Sequence, residues 1–172
     1  MPHPTSRSTR LLAHLLHTPL ATRRAFPAAV QEAIRSAVAA GEQSHRGEIR
    51  FVVEGDWPLG DVWSGKSVRD RALEIFGLAR VWDTAENTGL LVYVLLCEHR
   101  VEILADRGLH AAAPDGSWEA LCAEMVNAFR AGHFESGSLA AISQLNKLLQ
   151  QHFPAGPEGN PNELPDAPIV LR

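Results

Sequence analysis

Nine consecutive uncharged residues, Gly89-Leu90-Leu91-Val92-Tyr93-Val94-Leu95-Leu96-Cys97, constrain this chain more than any other stretch. The run has a strand's length rather than a helix's, and a strand apolar on both sides needs cover on both sides. Helical layers supply that cover in a single domain, which sets the fold class as α/β: a three-layer α/β/α sandwich with a small mixed central sheet flanked by helices. Beyond the polar break Glu98-His99, Val101 and Ile103 alternate with Glu102 and Leu104 as far as Ala105. This predicts the second arm of a β-hairpin, although the turn lacks the usual Asn-Gly. Glu48 to Glu54 alternates as well, with Ile49, Phe51 and Val53 opposed to Glu48, Arg50, Val52 and Glu54, and reads as a half-covered strand.

Helical spacing accounts for most of the remainder. Val30, Ile34, Ala37, Val38 and Gly41 recur at three- and four-residue steps from Pro27 to about His45. Ser67 offers an N-cap to a helix through Val68, Ala72, Leu73 and Phe76 that Gly77 ends. Asp115 and Glu119 open a helix through Leu121, Met125, Val126 and Phe129, with Gly132 as its stop. Ser136 or Ser138 starts a last helix through Leu139, Ile142, Leu145, Leu148 and Leu149. Gly55 to Gly65 reads as a loop whose Trp57 and Trp63 lid the core, and Leu11, Leu12, Leu15 and Leu16 fall on one helical stripe. From Pro154 five prolines and two glycines predict an extended or loosely docked tail. The organisation is therefore an N-terminal helical extension over 1–25, an α/β domain over 26–153 and a Pro-rich tail over 154–172.

The chain has 172 residues, one domain's worth, and a sizeable core fits within it. Sixteen Lys and Arg stand against 20 Asp and Glu, a net charge of −4, so there is no overall attraction for nucleic acid or anionic membrane, and any basic function has to be local. No stretch approaches the ~20 apolar residues of a transmembrane segment. His14, His17 and Pro19 interrupt the N-terminal leucines and no cleavage site follows, so a cytoplasmic location is expected. Cys97 and Cys122 have no metal-ligand spacing and read as small buried hydrophobes. His-Glu-x-x-His, the P-loop pattern and Gly-x-Ser-x-Gly are all absent.

Strand order places part of the acid. A crossover from the strand at Glu48 to the strand at Gly89 makes the two parallel, so both start at the same sheet edge, and the hairpin returns Asp106 there. Glu48, the loop residues Asp83, Glu86 and Asn87, and Asp106 should converge, with Asp115 within reach from the next helix. Oxygen-bearing side chains gathered this way suit a hard cation, Ca2+ or Mg2+, and the expected ligands are Glu48, Asp83, Asn87, Asp106 and Asp115. The plainer reading makes Asp115 an N-cap, Asp83-Thr84 and Asn87-Thr88-Gly89 turns, and Asp106 a strand terminator. No organic cofactor is expected.

Several stretches together carry a family likeness: Gly47-Glu48-Ile49-Arg50, Arg71 to Phe76, Asn87 to Val94, Asp106-Arg107-Gly108-Leu109, His152-Phe153-Pro154 and Asn162-Glu163-Leu164-Pro165-Asp166. The chain resembles the TPM domain family, named after a thylakoid lumen protein, a photosystem II repair protein and a levamisole-receptor modulator, in a short bacterial branch. The resemblance implies an α/β sandwich, divalent-ion binding at an acidic rim, and service as an accessory to a protein or membrane-complex partner. A weak metal-dependent acid phosphatase is the alternative it implies, and a metal-independent interaction module is a third reading. Asp106, Asp115 and Asn87 look like the family's functional edge.

Overall fold

The structure is a computed structural model and describes residues 6–112, 116–157 and 161–171. Three N-terminal helices, α1 (Arg7–Leu16), α2 (Pro19–Ala25) and α3 (Ala28–Glu42), lead into β1 (Glu48–Glu54). Then follow α4 (Leu59–Trp63), α5 (Val68–Leu78), β2 (Gly89–Leu95), β3 (Arg100–Ala105) and α6 (Arg107–Ala112). The helices α7 (Ser117–Arg130) and α8 (Phe134–His152) precede the short strand β4 (Ile169–Leu171). The sheet has the order β3-β2-β1-β4, with β2, β1 and β4 parallel and β3 antiparallel.

Two apolar layers enclose the sheet, as the continuous run of β2 requires. On one face Ile49, Phe51, Val53, Leu90, Val92 and Val94 pack with Ile34 and Val38 of α3, Met125 and Phe129 of α7, and Ile142 and Leu145 of α8. On the other, Val52, Leu91, Tyr93 and Leu95 meet Ala72 and Ile75 of α5, Val62 of α4, and Trp57. Each fully buried large side chain contributes ~1.5–3 kcal/mol, so this alternation across β2 is the main force holding three layers together. Ser67 caps α5 reciprocally with Asp70, as a capping box.

The structure corrects four expectations. β1 is buried along its whole length rather than half-covered, because α4, α5 and the tail close over its Glu48, Arg50 and Glu54 face. The tail is not loosely docked: Val52, Val53 and Glu54 pair with Ile169, Val170 and Leu171, and Leu164 is buried. Three apolar residues suffice there because β1 otherwise leaves a row of unpaired N–H and C=O groups at the sheet edge. The loop after β1 contains α4, and only Trp57 lids the core, Trp63 being exposed. Of the N-terminal leucines only Leu11 packs inward. At the hairpin, His99 adopts φ 48° and its N–H donates to the Leu96 carbonyl, a left-handed residue standing in for Asn-Gly.

Candidate acidic site at the starting edge of the sheet

The register places three of the expected residues, Glu48, Asn87 and Asp106, at one edge. Glu48 pairs with Gly89, and the Asp106 N–H donates to the Gly89 carbonyl at 2.9 Å, so Glu48, Gly89 and Asp106 form one row across three strands. Asn87 takes φ 57° and its carbonyl accepts from the Gly108 N–H at 3.0 Å. A Cβ on Gly108 would lie 2.8 Å from that carbonyl oxygen, so only glycine lets the loop seat on α6.

The side chains of this row stand in different surroundings. Glu48 and Asp106 lie two strands apart, roughly 10 Å by strand spacing. Between them a Cβ on Gly89 would lie 1.8 Å from the Val81 carbonyl oxygen, so the chain at Val81 crosses the sheet at that point. Glu48 is fully buried and its Oε2 accepts from the Leu164 N–H at 3.0 Å. Asp106 is 9% exposed, its Oδ1 accepts from the Arg107 N–H at 2.7 Å, and its Oδ2 has no hydrogen-bond partner. Asn87 Oδ1 accepts from Arg107 at 3.4 Å. Asp83 is exposed and paired with Arg80, and Glu86 is paired with Arg46. Asp115 lies outside the described residues. Among the described residues no three His, Cys, Asp or Glu side chains are grouped as a metal-ligand set.

Glu42 and Asp166 belong to this edge and were not among the sequence candidates. Glu42 ends α3 on the stripe Ile34, Val38, Glu42, and it is 7% exposed. Its Oε1 accepts from the Ile49 N–H at 3.0 Å while Oε2 has no partner in hydrogen-bond geometry. Burial, reinforced by the charges of Glu48 and Asp166, pushes its carboxyl up to about 8. Asp166 accepts from Asn162 at 2.6 Å, and the tail carrying it is tied down by Arg50, which donates to the carbonyls of Pro165 and Ala167. A carboxylate on a helix's apolar stripe was the visible signal for Glu42; Asp166 offered none beyond its motif. The charges of Glu48 and Asp166 thus add to the burial that keeps the Glu42 carboxyl protonated near neutral pH.

The opposite end of the sheet is closed by polar pairs. Glu54 accepts from both Arg71 nitrogens at 2.7 and 2.9 Å, from the Tyr93 hydroxyl at 2.5 Å and from the Trp57 indole N–H at 3.1 Å. Glu98 accepts from Arg10 and His14, both at 2.8 Å, and His14 Nδ1 accepts from the Trp57 backbone N–H. Because Nδ1 accepts, His14 carries its proton on Nε2 toward Glu98.

Fold and edge define a three-layer α/β/α domain whose parallel strands begin in a cluster of carboxylates. The TPM domain profile matches residues 22–148, and the chain belongs to that family. Among solved structures, the BA42 protein of the psychrophilic bacterium Bizionia argentinensis is similar at 25% identity, covering 83% of this chain and 93% of that one with a TM-score of 0.73. The N-terminal domain of a protein from P. gingivalis shares the fold at 23% identity, covering 86% of this chain and 87% of that one with a TM-score of 0.58. None of the curated proteins matches the chain.

Proposed function

We propose that this TPM domain binds a divalent cation, Ca2+ or Mg2+, at the starting edge of its sheet and that the loaded edge recognises a protein partner. Glu42, Glu48 and Asp166 would supply its oxygen ligands, with Asp106 and Asn87 further along the same edge, and Asp83 and Asp115 complete the set expected from the sequence. The supporting observation is Glu42: a buried carboxyl with an unpartnered oxygen beside two further acids. Hard cations take carboxylate, amide and carbonyl oxygens, all of which this edge presents.

Thermal melting in calcium or magnesium tests the reading. At 100 times Kd a ligand of the native state adds about 2.7 kcal/mol, which for a chain of this size raises the midpoint by roughly 5–10 °C. Protons compete with the cation at Glu42, so the rise should be larger at pH 8.5 than at pH 5.5. Glu42→Gln should abolish it if the α3 side binds, and Asp106→Asn if the β3 side does. An unchanged midpoint at millimolar calcium and magnesium at pH 8.5 would refute the proposal.

A further inference from the structure

The helix α1 is mounted inside out. At 100° per residue Arg10 and His14 turn toward the body of the protein, where both bond to Glu98. Leu12, Leu15 and Leu16 point the other way and are 54%, 65% and 68% exposed. The exposed apolar surface continues on α2 with Leu20, while α4, packed beside α1, adds Leu59 and Trp63. Isolated exposed leucines are ordinary, but a helix that buries its charges and displays its leucines needs a cover.

Charge says what kind of cover. The first 31 residues contain Arg7, Arg10, Arg23 and Arg24 and no acid, Glu32 being the first; the rest carries 12 basic against 20 acidic side chains. Arg10 is engaged by Glu98, whereas Arg7, Arg23 and Arg24 are exposed and make no ion pair among the described residues. On α2 the positions Leu20, Arg23 and Arg24 are spaced i, i+3, i+4, so leucine and arginines share one exposed face. Leucines flanked by unpaired guanidinium groups on adjoining helices match an interfacial element lying in the plane of an anionic bilayer. The acidic remainder is repelled by the same surface, which orients the domain with α1 and α2 toward it. The TPM match begins at residue 22 and does not include α1.

We propose that α1 and α2 form a docking face for an anionic lipid surface, with Leu12, Leu15, Leu16 and Leu20 entering the interface and Arg7, Arg23 and Arg24 bonding lipid phosphates. The full chain should co-sediment with vesicles of phosphatidylglycerol and phosphatidylcholine at low ionic strength and not with phosphatidylcholine alone. Each arginine near such a surface is worth about a fivefold change in affinity, so Arg23→Gln with Arg24→Gln should weaken partitioning more than tenfold. Leu12→Ser, Leu15→Ser and Leu16→Ser together should abolish it with an unchanged melting temperature, since these side chains leave solvent only on docking. Two results overturn the proposal: no partitioning of the parent chain into the anionic vesicles, or partitioning that the leucine triple variant retains. A dimer in light scattering that the triple variant converts to monomer also overturns it, assigning the face to a second copy.

Discussion

Both ends of this sheet place carboxylates at the ends of strands, and the two ends treat them oppositely. At the finishing end Glu54 and Glu98 are matched by Arg71, Tyr93, Trp57, Arg10 and His14. At the starting end Glu42 and Asp106 each keep a buried oxygen without a partner. A saturated carboxylate is an anchor, tying α1 and α5 to the strands; Glu42, buried with one unmatched oxygen, is held protonated instead. The difference between them lies in where the chain supplies its cations, not in the acids themselves.

The largest effect should come from breaking the anchor. Glu54→Ala leaves the Arg71 guanidinium and the Tyr93 and Trp57 donors without their acceptor, and loss of one partner of a largely buried ion pair costs about 3–5 kcal/mol. Urea denaturation measures it, and a loss under 1 kcal/mol would show the finishing end to be no anchor. Glu42→Gln should act in the other direction. Its folded carboxyl titrates near 8 against an unfolded value near 4.5, so the native state holds the extra proton between those limits. That contribution is complete below pH 4.5 and is lost as pH rises to about 8, so the neutral glutamine should stabilise the chain at pH 8.5 by on the order of 2–3 kcal/mol and have little effect at pH 4. Equal stability of the two proteins at pH 8.5 would contradict the raised Glu42 carboxyl.

The two ends should also open at opposite pH extremes. Burial works to raise the Glu98 carboxyl, but the bonds from His14 and Arg10 hold it below its usual value. Its contribution is therefore present above the unfolded carboxylate range and lost as pH falls through the lower folded value. Hydrogen-exchange protection of the Trp57 N–H, bonded to His14, should decline at acid pH, while that of the Ile49 N–H, bonded to Glu42, should decline as pH rises from about 4.5 to about 8. Parallel loss at both would erase the contrast. The smallest effect belongs to Asp83→Asn, whose exposed pair with Arg80 should change stability by no more than about 0.5 kcal/mol in the same urea assay.

The sheet's three longer strands and the common edge of Glu48, Asn87 and Asp106 were legible in the sequence because period-2 patterning and the crossover rule are local and topological constraints. The burial of β1 was not, because Glu48, Arg50 and Glu54 look like a solvated face until their partners arrive from Leu164, Pro165 and Arg71, far along the chain. β4 escaped for the same reason: three residues after a run of prolines make a strand only when β1 offers its edge. The close approach of the Val81 carbonyl to Gly89, between Glu48 and Asp106, is a backbone contact that a turn-rich loop does not announce. Glu42 could have been found, since an acid in step with Ile34 and Val38 stands where an apolar residue belongs.

The pairing of β1 with Ile169–Leu171 has a temporal side. In a growing chain β1 is complete long before its last neighbour exists, for roughly 6–20 s at ordinary elongation rates. Throughout that interval one flank of β1 presents open backbone groups to any other nascent strand, so the very last stretch described here acts as the seal on a surface that self-association would otherwise find first.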